Sequence, residues 1–510
     1  MPRKRIVNII NFIRAYEPRG DVDLLMPIRM QVGLLRKHSL PGTFPLMYNA
    51  LQDTDILDIL RTAPTGTEFS LWFEMCAELC KAAGVHWRGR WAWDWESHCA
   101  FSPGYTPPER EALLDAAFEK FREVFGYYPR SMGAWAFDAH TLRYAAEKYG
   151  MDAFCNCKDQ LGTDGYTLWG GYYNGGYYPS VYNAYCPAQS EENQIHVPMF
   201  RMLGSCPLYQ YIEGLNTHTG LRRSQGVLSL EPSSERCGAR TEWVDWYLRE
   251  NFIGKCLSHA YTQVGQENSF GWENMENLPY QLARIAELRD KGIVTAETLA
   301  ASGRWFRENF NLTPAAGMLT ESDWTLLPGA AGCDGRGEPL TQFKTNAGLA
   351  GKDCKGFWYN CRNYRANVFI ADNRPYLRDL HLFREERREN YLTETEPTEN
   401  LFYETIPLMD GNRRSGRDCH AGWYPLINGR HMEILSYIYE EYDNETAILT
   451  FQTEACGAVQ VTFRPAGIHL RAERNGSDLI LLRRTAPAAD MPPPDRLTLT
   501  DSELEINLKP

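Results

Sequence analysis

Long apolar runs are missing from this 510-residue chain. No stretch reaches the roughly 20 apolar residues of a membrane-spanning helix, so no helical membrane span and no membrane partner is expected. The N-terminal "MPRKRIVNIINFIRAYEPRG" holds an apolar run of only about eight residues, broken by Asn8 and Asn11, with no small-residue cleavage site. It reads as a first buried strand, Ile6–Ile13, rather than an export signal, and a cytoplasmic location is expected. Paired CxxC motifs are absent although the chain has 14 cysteines, which fits scattered reduced thiols rather than a zinc ribbon or disulfide framework. Excess basic charge is also absent. A net charge of −12 argues against a general nucleic-acid binder. No GxSxG, Walker loop or GxGxxG occurs, so serine-hydrolase chemistry and nucleotide binding find no support, and no cofactor is expected. Repeats of 20–50 residues are not evident. The oligomeric state is not legible.

What is present is an alternation of strand and helix patterns up to about residue 310. Strand-like Ile6–Ile13, Gly42–Met47, Thr67–Phe73, Ser131–Phe137, Asp152–Cys157, Gln194–Phe200 and Lys255–Tyr261 are separated by helical stretches. These include Leu24–His38, Thr54–Ala63, Glu74–Ala83 and Asp138–Tyr149, then Glu242–Asn251, Asn277–Lys291 and Leu299–Phe310. A long helix also follows Thr106, which can cap it, with Pro107 in its first turn. Such βα repetition predicts a parallel sheet long enough to close into a barrel, with the site at the strands' carboxyl ends. Leu326–Leu340, rich in Gly and Asp, reads as linker. Beyond about 355, short alternating runs predict an antiparallel β-domain. The expected division is 1–325, a linker over 326–355, and 356–510.

Four segments in order, "GLLRKHSLPGTFPLM", "GTEFSLWFEM", "YYPRSMGAWAFDAHTLRYAAEKYGMDA" and "LPYQLARIAELRDKGIVTAETLA", resemble the polysaccharide deacetylase, or NodB-like, superfamily. The resemblance covers roughly residues 5–310 and implies an α/β fold: a distorted (β/α)7 barrel acting on carbohydrates, here followed by a C-terminal antiparallel, β-sandwich-like domain. The deacetylase motif "TFDD" is matched by "NFIR", with Ile13 and Arg14 in place of a catalytic base and a metal ligand. Trp72 stands in place of the first metal histidine, and Glu74 lies near the second. No metal is expected at these positions. The segments around Trp93 and Lys158 also resemble an uncharacterised two-domain bacterial family. Glycoside hydrolase families 38 and 57 share a related barrel, and glycosidases need two carboxylates.

The sequence therefore points first to a glycosidase drawing on Glu267, Asp159 and Glu74, each near a strand's carboxyl end. For Glu267 the alternative is a loop hydrogen-bonding role, and for Glu74 an ion pair with Arg14 or Arg88. Asp164 is either a ligand or half of a turn with Gly165, and Asp138 is favoured as a helix cap. Substrate contacts are expected from Arg14, Arg88, Trp93, Asp94, Glu96, His98, Gln263 and Trp272. Indole faces stack on sugars, while carboxylates and arginines bind hydroxyls. Tyr166, Trp169, Tyr172 and Tyr173, in "CKDQLGTDGYTLWGGYYNGGYYPS", form a candidate sugar platform whose alternative is packing against the β-domain. Two further readings stay open. One is a metal-dependent deacetylase with a site rebuilt from Asp94, His98 and His259; the other is an inactive carbohydrate-binding barrel.

Overall fold

The structure is a computed structural model describing residues 3–208, 229–234, 237–254, 256–323, 352–411, 414–415, 420–473, 479–485, 496–498 and 503–508. The expected linker Leu326–Leu340 lies outside them.

Seven strands lie side by side in parallel: β1 (Lys4–Ile9), β2 (Thr43–Leu46), β3 (Glu68–Trp72), β4 (Ser131–Gly133), β5 (Ala153–Asn156), β6 (Met199–Arg201) and β7 (His259–Val264). Their order is β7-β1-β2-β3-β4-β5-β6. The β1–β2 step consists of two single bridges, Ile10 to Thr43 and Ile13 to Leu46. Among the described residues no ladder joins β6 to β7. These strands are buried on both faces, β2 and β7 along their whole length, so their sequences carry apolar runs rather than alternation. Helices Leu25–His38, Pro107–Phe125, Ala139–Tyr149 and Leu278–Asp290 connect or flank them. Thr106 and Glu109 form a capping box with Pro107 at the first position, as the sequence implies. Gly150, in the left-handed region, stops Ala139–Tyr149.

Several strands are shorter than their sequence patterns. Ser131–Phe137 yields only Ser131–Gly133, because the chain peels off to place Asp138 at the next helix start. Gln194–Phe200 yields Met199–Arg201. The segment 157–180 is where reading and structure differ most. Expected as an aperiodic loop, it folds into short strands Gln160–Thr163, Tyr166–Trp169, Gly176–Tyr177 and Pro179–Ser180. Asp164 and Gly165, both at positive φ, make the two-residue turn of the first pair. Strands of two to four residues with both faces buried leave no period to read.

From Cys354 onward the described regular structure is almost wholly β. A nine-stranded and a five-stranded sheet enclose a second apolar core. Ala316–Glu321, placed by the sequence in the first unit, pairs antiparallel with Cys354–Asn360 and joins the larger sheet. Leu401–Glu404 in turn pairs with Tyr166–Trp169. No described helix is long and apolar enough to cross a membrane, and no disulfide forms among the described cysteines.

Candidate active site

The ends of β1, β3, β5 and β7 bring charged side chains together at the carboxyl edge of the parallel strands. Arg14, beyond β1, is 1% exposed. Its Nη2 lies 2.7 Å from Glu267 Oε2 and 3.5 Å from Glu74 Oε2, while Nη1 lies 3.7 Å from Glu17 and donates to Ser269 Oγ at 3.3 Å. The Trp93 ring lies under the guanidinium, 3.9 Å from its carbon, and the Trp93 indole N–H donates to Glu74 Oε2 at 3.2 Å. Asn268 fixes the chain at Arg14, accepting from its N–H at 3.0 Å and donating to its carbonyl at 2.9 Å.

Three carboxylates thus share one cation in a buried setting. Burial is the largest influence on Glu267 and pushes its pKa up to about 7; Arg14 and Arg19 oppose this, while Glu74 and Glu231 add to it. Burial likewise raises Glu74, against the pull of Arg14. The 2.7 Å contact between Arg14 and Glu267 is not aligned along an N–H, so Glu267 Oε2 accepts no hydrogen bond. Glu74 Oε1, Arg14 Nε and Lys158 Nζ are also buried without a hydrogen-bond partner. Natively folded chains rarely leave such atoms orphaned, and each calls for an explanation.

The outer approach is aromatic and cationic. Arg19 lies over both Trp93 and Trp95, and Arg90 over both Trp91 and Trp95. Trp91 and Trp95 stack at 5.0 Å, with Trp91 38% exposed. Asp164 adds its charge to the surroundings of Glu74 and Arg19.

Glu267, Glu74, Arg14, Trp93 and Asp164 are therefore drawn to one locality. Asp94 and Glu96 lie at the aromatic approach, on Arg90, and the remaining expected residues go elsewhere. Asp159 is held by Arg201 at 3.0 Å, Arg365 at 2.7 Å and the Tyr185 hydroxyl at 2.5 Å. Despite burial, the two guanidiniums hold its pKa down to about 2. Arg88 makes a two-pronged bond to Glu109, and Asp94 a two-pronged bond to Arg90 with Glu96 nearby at 3.8 Å. His98 is half-buried. Asp138 caps Ala139–Tyr149 and pairs with buried Arg110. Gln263 spends its amide on Leu203, Ile10 and Val264 backbone groups, and half-buried Trp272 packs on the core. Tyr166, Trp169, Tyr172 and Tyr173 are at most 5% exposed. Tyr173 stacks on Trp358 at 3.9 Å and the Trp169 indole donates to Asp410, so protein covers these two rings from the β-rich part. Sequence reasoning missed Lys158, Glu231, Glu17 and Arg19.

A divalent metal does not suit this site. Hard and borderline cations need carboxylate or imidazole donors turned toward one point. Here a guanidinium occupies the centre and Trp72 is fully buried in the core. No group of three His, Cys, Asp or Glu is placed for a metal among the described residues. Nor do Asp94, His98 and His259 assemble. His259 accepts from the Gly176 N–H, and burial lowers its pKa to about 4.

No protein-family profile matches the chain, and no curated protein matches it either. Among solved structures it is similar to one from Parabacteroides distasonis, provisionally described as a glycoside hydrolase/deacetylase. That likeness has 16% identity over 80% of this chain and 89% of the other, with a TM-score of 0.48. It is also similar to a provisionally described polysaccharide deacetylase from Mycobacterium smegmatis, at 15% identity over 60% and 91% with a TM-score of 0.36. A third likeness is to a peptidoglycan N-acetylglucosamine deacetylase, at 10% identity over 58% and 95% with a TM-score of 0.26. The expected glycosidase is corrected: two of these three structures are described as deacetylases and the third as a glycoside hydrolase/deacetylase. The geometry offers a reason of its own, since Asp159 is locked between two arginines while Glu74 and Glu267 converge on one guanidinium.

Proposed function

We propose that this protein is a carbohydrate deacylase that hydrolyses an acyl amide or ester on a sugar without a metal, with Glu267 as general base. The observation that carries the reading is a buried carboxylate raised to about 7 with an oxygen free of hydrogen bonds. A base with that pKa is half ionised near neutral pH, where proton transfer is most effective. The exposed Trp91 and half-buried Trp95 at the approach supply apolar faces of the kind that stack on sugar rings.

In the proposed reaction Glu267 takes a proton from water as the water oxygen bonds to the acyl carbon. The carbonyl oxygen becomes an oxyanion. Collapse then breaks the bond from the acyl carbon to nitrogen or oxygen, and the proton returns to the leaving group. The products are a carboxylic acid and the free amine or hydroxyl. Arg14 holds Glu267 and Glu74 in place and limits the rise in their pKa values.

Acetate release from N- and O-acetylated oligosaccharides is the test. Wild type is expected to release acetate, with chelators having no effect, and Glu267→Gln to lower kcat by ~10²–10⁴-fold. No release from any acetylated sugar, or full activity in Glu267→Gln, would overturn the reading.

A further inference from the structure

Lys158 stands out among the buried cations. Arg110 donates to the Ser102, Tyr105, Tyr391 and Glu394 carbonyls. Arg201 donates to the Cys157 and Tyr172 carbonyls and to Asp159, and Arg365 to Asp159, Asp379 and the Gly171 carbonyl. Each is the saturated cation that a structural role demands. Lys158 is equally buried, at 1% exposed, yet its ammonium makes no hydrogen bond. Among the described residues its one ionic neighbour is Glu231 Oε2, at 3.7 Å. An ammonium carries three donors and no acceptor. Burying it with all three idle costs stability that a folded chain recovers only when something else accepts those bonds.

The position of Lys158 says what that acceptor is. It lies two residues beyond β5, at the same carboxyl edge that delivers Arg14, Glu74 and Glu267. The short segment carrying Glu231 is tied to the site. Ser233 donates from its N–H and hydroxyl to Gln266 Oε1, one residue before Glu267, and Glu231 contributes its charge to the surroundings of Glu267. Arg14 therefore faces Glu74 and Glu267, while Lys158 faces Glu231, whose charge also reaches Glu267. Arg14 gives one donor to Ser269 and faces Glu267, Glu74 and Glu17 at close range, whereas no donor of Lys158 is used.

We infer that Lys158 is a further catalytic residue, whose ammonium binds the acyl oxygen of the substrate and the negative charge that develops there. This rests on the proposed deacylase reading. Donors aimed at a developing oxyanion in a water-poor site supply a large part of such catalysis. No proton is transferred by Lys158. Its N–H groups bond the oxygen while the carbonyl carbon is tetrahedral and weaken their hold when the carbonyl re-forms. Glu231 positions the ammonium.

Two measurements separate this role from a structural one. The first is calorimetric titration with methylphosphonate, a tetrahedral anion with an acetyl-sized methyl group, which needs no turnover. Wild type is expected to bind it, and Lys158→Met to lose at least tenfold in affinity with an unchanged or higher melting temperature. The second is acetate release, where Lys158→Met is expected to lower kcat at least ~10²-fold with KM little changed, as for loss of an oxyanion donor. Should Lys158→Met not fold, Lys158→Gln carries the same comparison. Wild-type affinity and turnover in either variant, or failure of both to fold, overturns the inference. Lys158-dependent binding of methylphosphonate by a wild type that releases no acetate sinks the proposed reaction and keeps the anion site.

Discussion

Glu267 shows how one side chain ties stability to chemistry. Its pKa rises from the ordinary carboxylate range to about 7 in the folded chain, chiefly through burial. The folded state therefore holds this proton more tightly than the unfolded state does. Its contribution is fully present below about pH 4.5 and lost as pH climbs through about 7, on the order of 3 kcal/mol in all. Urea unfolding between pH 5 and 8 is expected to show stability falling with pH, and less steeply in Glu267→Gln. Glu389, raised to about 8, contributes a slope of the same sign that the substitution leaves in place. For turnover the sign reverses, because the ionised form is the base: kcat/KM should rise through an apparent pKa near 7. Arg14→Gln removes the cation that restrains Glu267, so this rising limb should move to higher pH. A limb that stays put would show that Glu267 is not the titrating base. Glu267, Glu74 and Arg14 were legible in the sequence because strand ends in a βα array point to one edge. Lys158 was not. It adjoins Asp159, and successive residues leaving a strand face opposite ways. Nothing in "CKDQ" says that the lysine turns to Glu231 and the aspartate to Arg365.

At the scale of elements, most helices and parallel strands follow from caps and apolar runs, as Thr106, Asp138 and Gly150 show. The segment 157–180 does not, since its order comes from partners distant in sequence. Gly170 makes the point. It sits at φ +80°, and a Cβ there would fall 2.2 Å from His381 Nδ1 and 2.4 Å from Thr405 Oγ1. Both neighbours are buried in the β-rich part. Gly170→Ala therefore combines left-handed strain with overlap against packed atoms, and a loss of about 2–4 kcal/mol is expected in urea unfolding. Gly292, also at positive φ but with open space around its Cβ position, is the control, at about 1 kcal/mol for Gly292→Ala. Equal losses would show that packing on His381 does not hold this segment.

Across the whole molecule, the same contacts decide whether the two halves can be separated. The division at 326–355 expected from composition would leave Asp159 on one side and Arg365 on the other. Arg365 is wholly buried, bonds Asp159 at 2.7 Å and grips Asp379 with two bonds of 3.0 Å. Sequence could show two compositions but not this bridge, which joins residues 206 positions apart. Arg365→Met would remove the cation that Asp159 and Asp379 share. Breaking a buried pair from one side costs about 3–5 kcal/mol, and Asp159 would still retain Arg201. Asp159 also carries an acid signature, since its depressed pKa contributes stability above about pH 4 that is lost as pH falls toward 2. In Arg365→Met that pKa rises, so acid unfolding should depend less on this residue even as overall stability drops. Because Lys158 precedes Asp159 directly, acetate release should fall in the same variant under conditions where it remains folded. Unchanged stability and activity would show that the β-rich part merely sits beside the site and does not help to shape it.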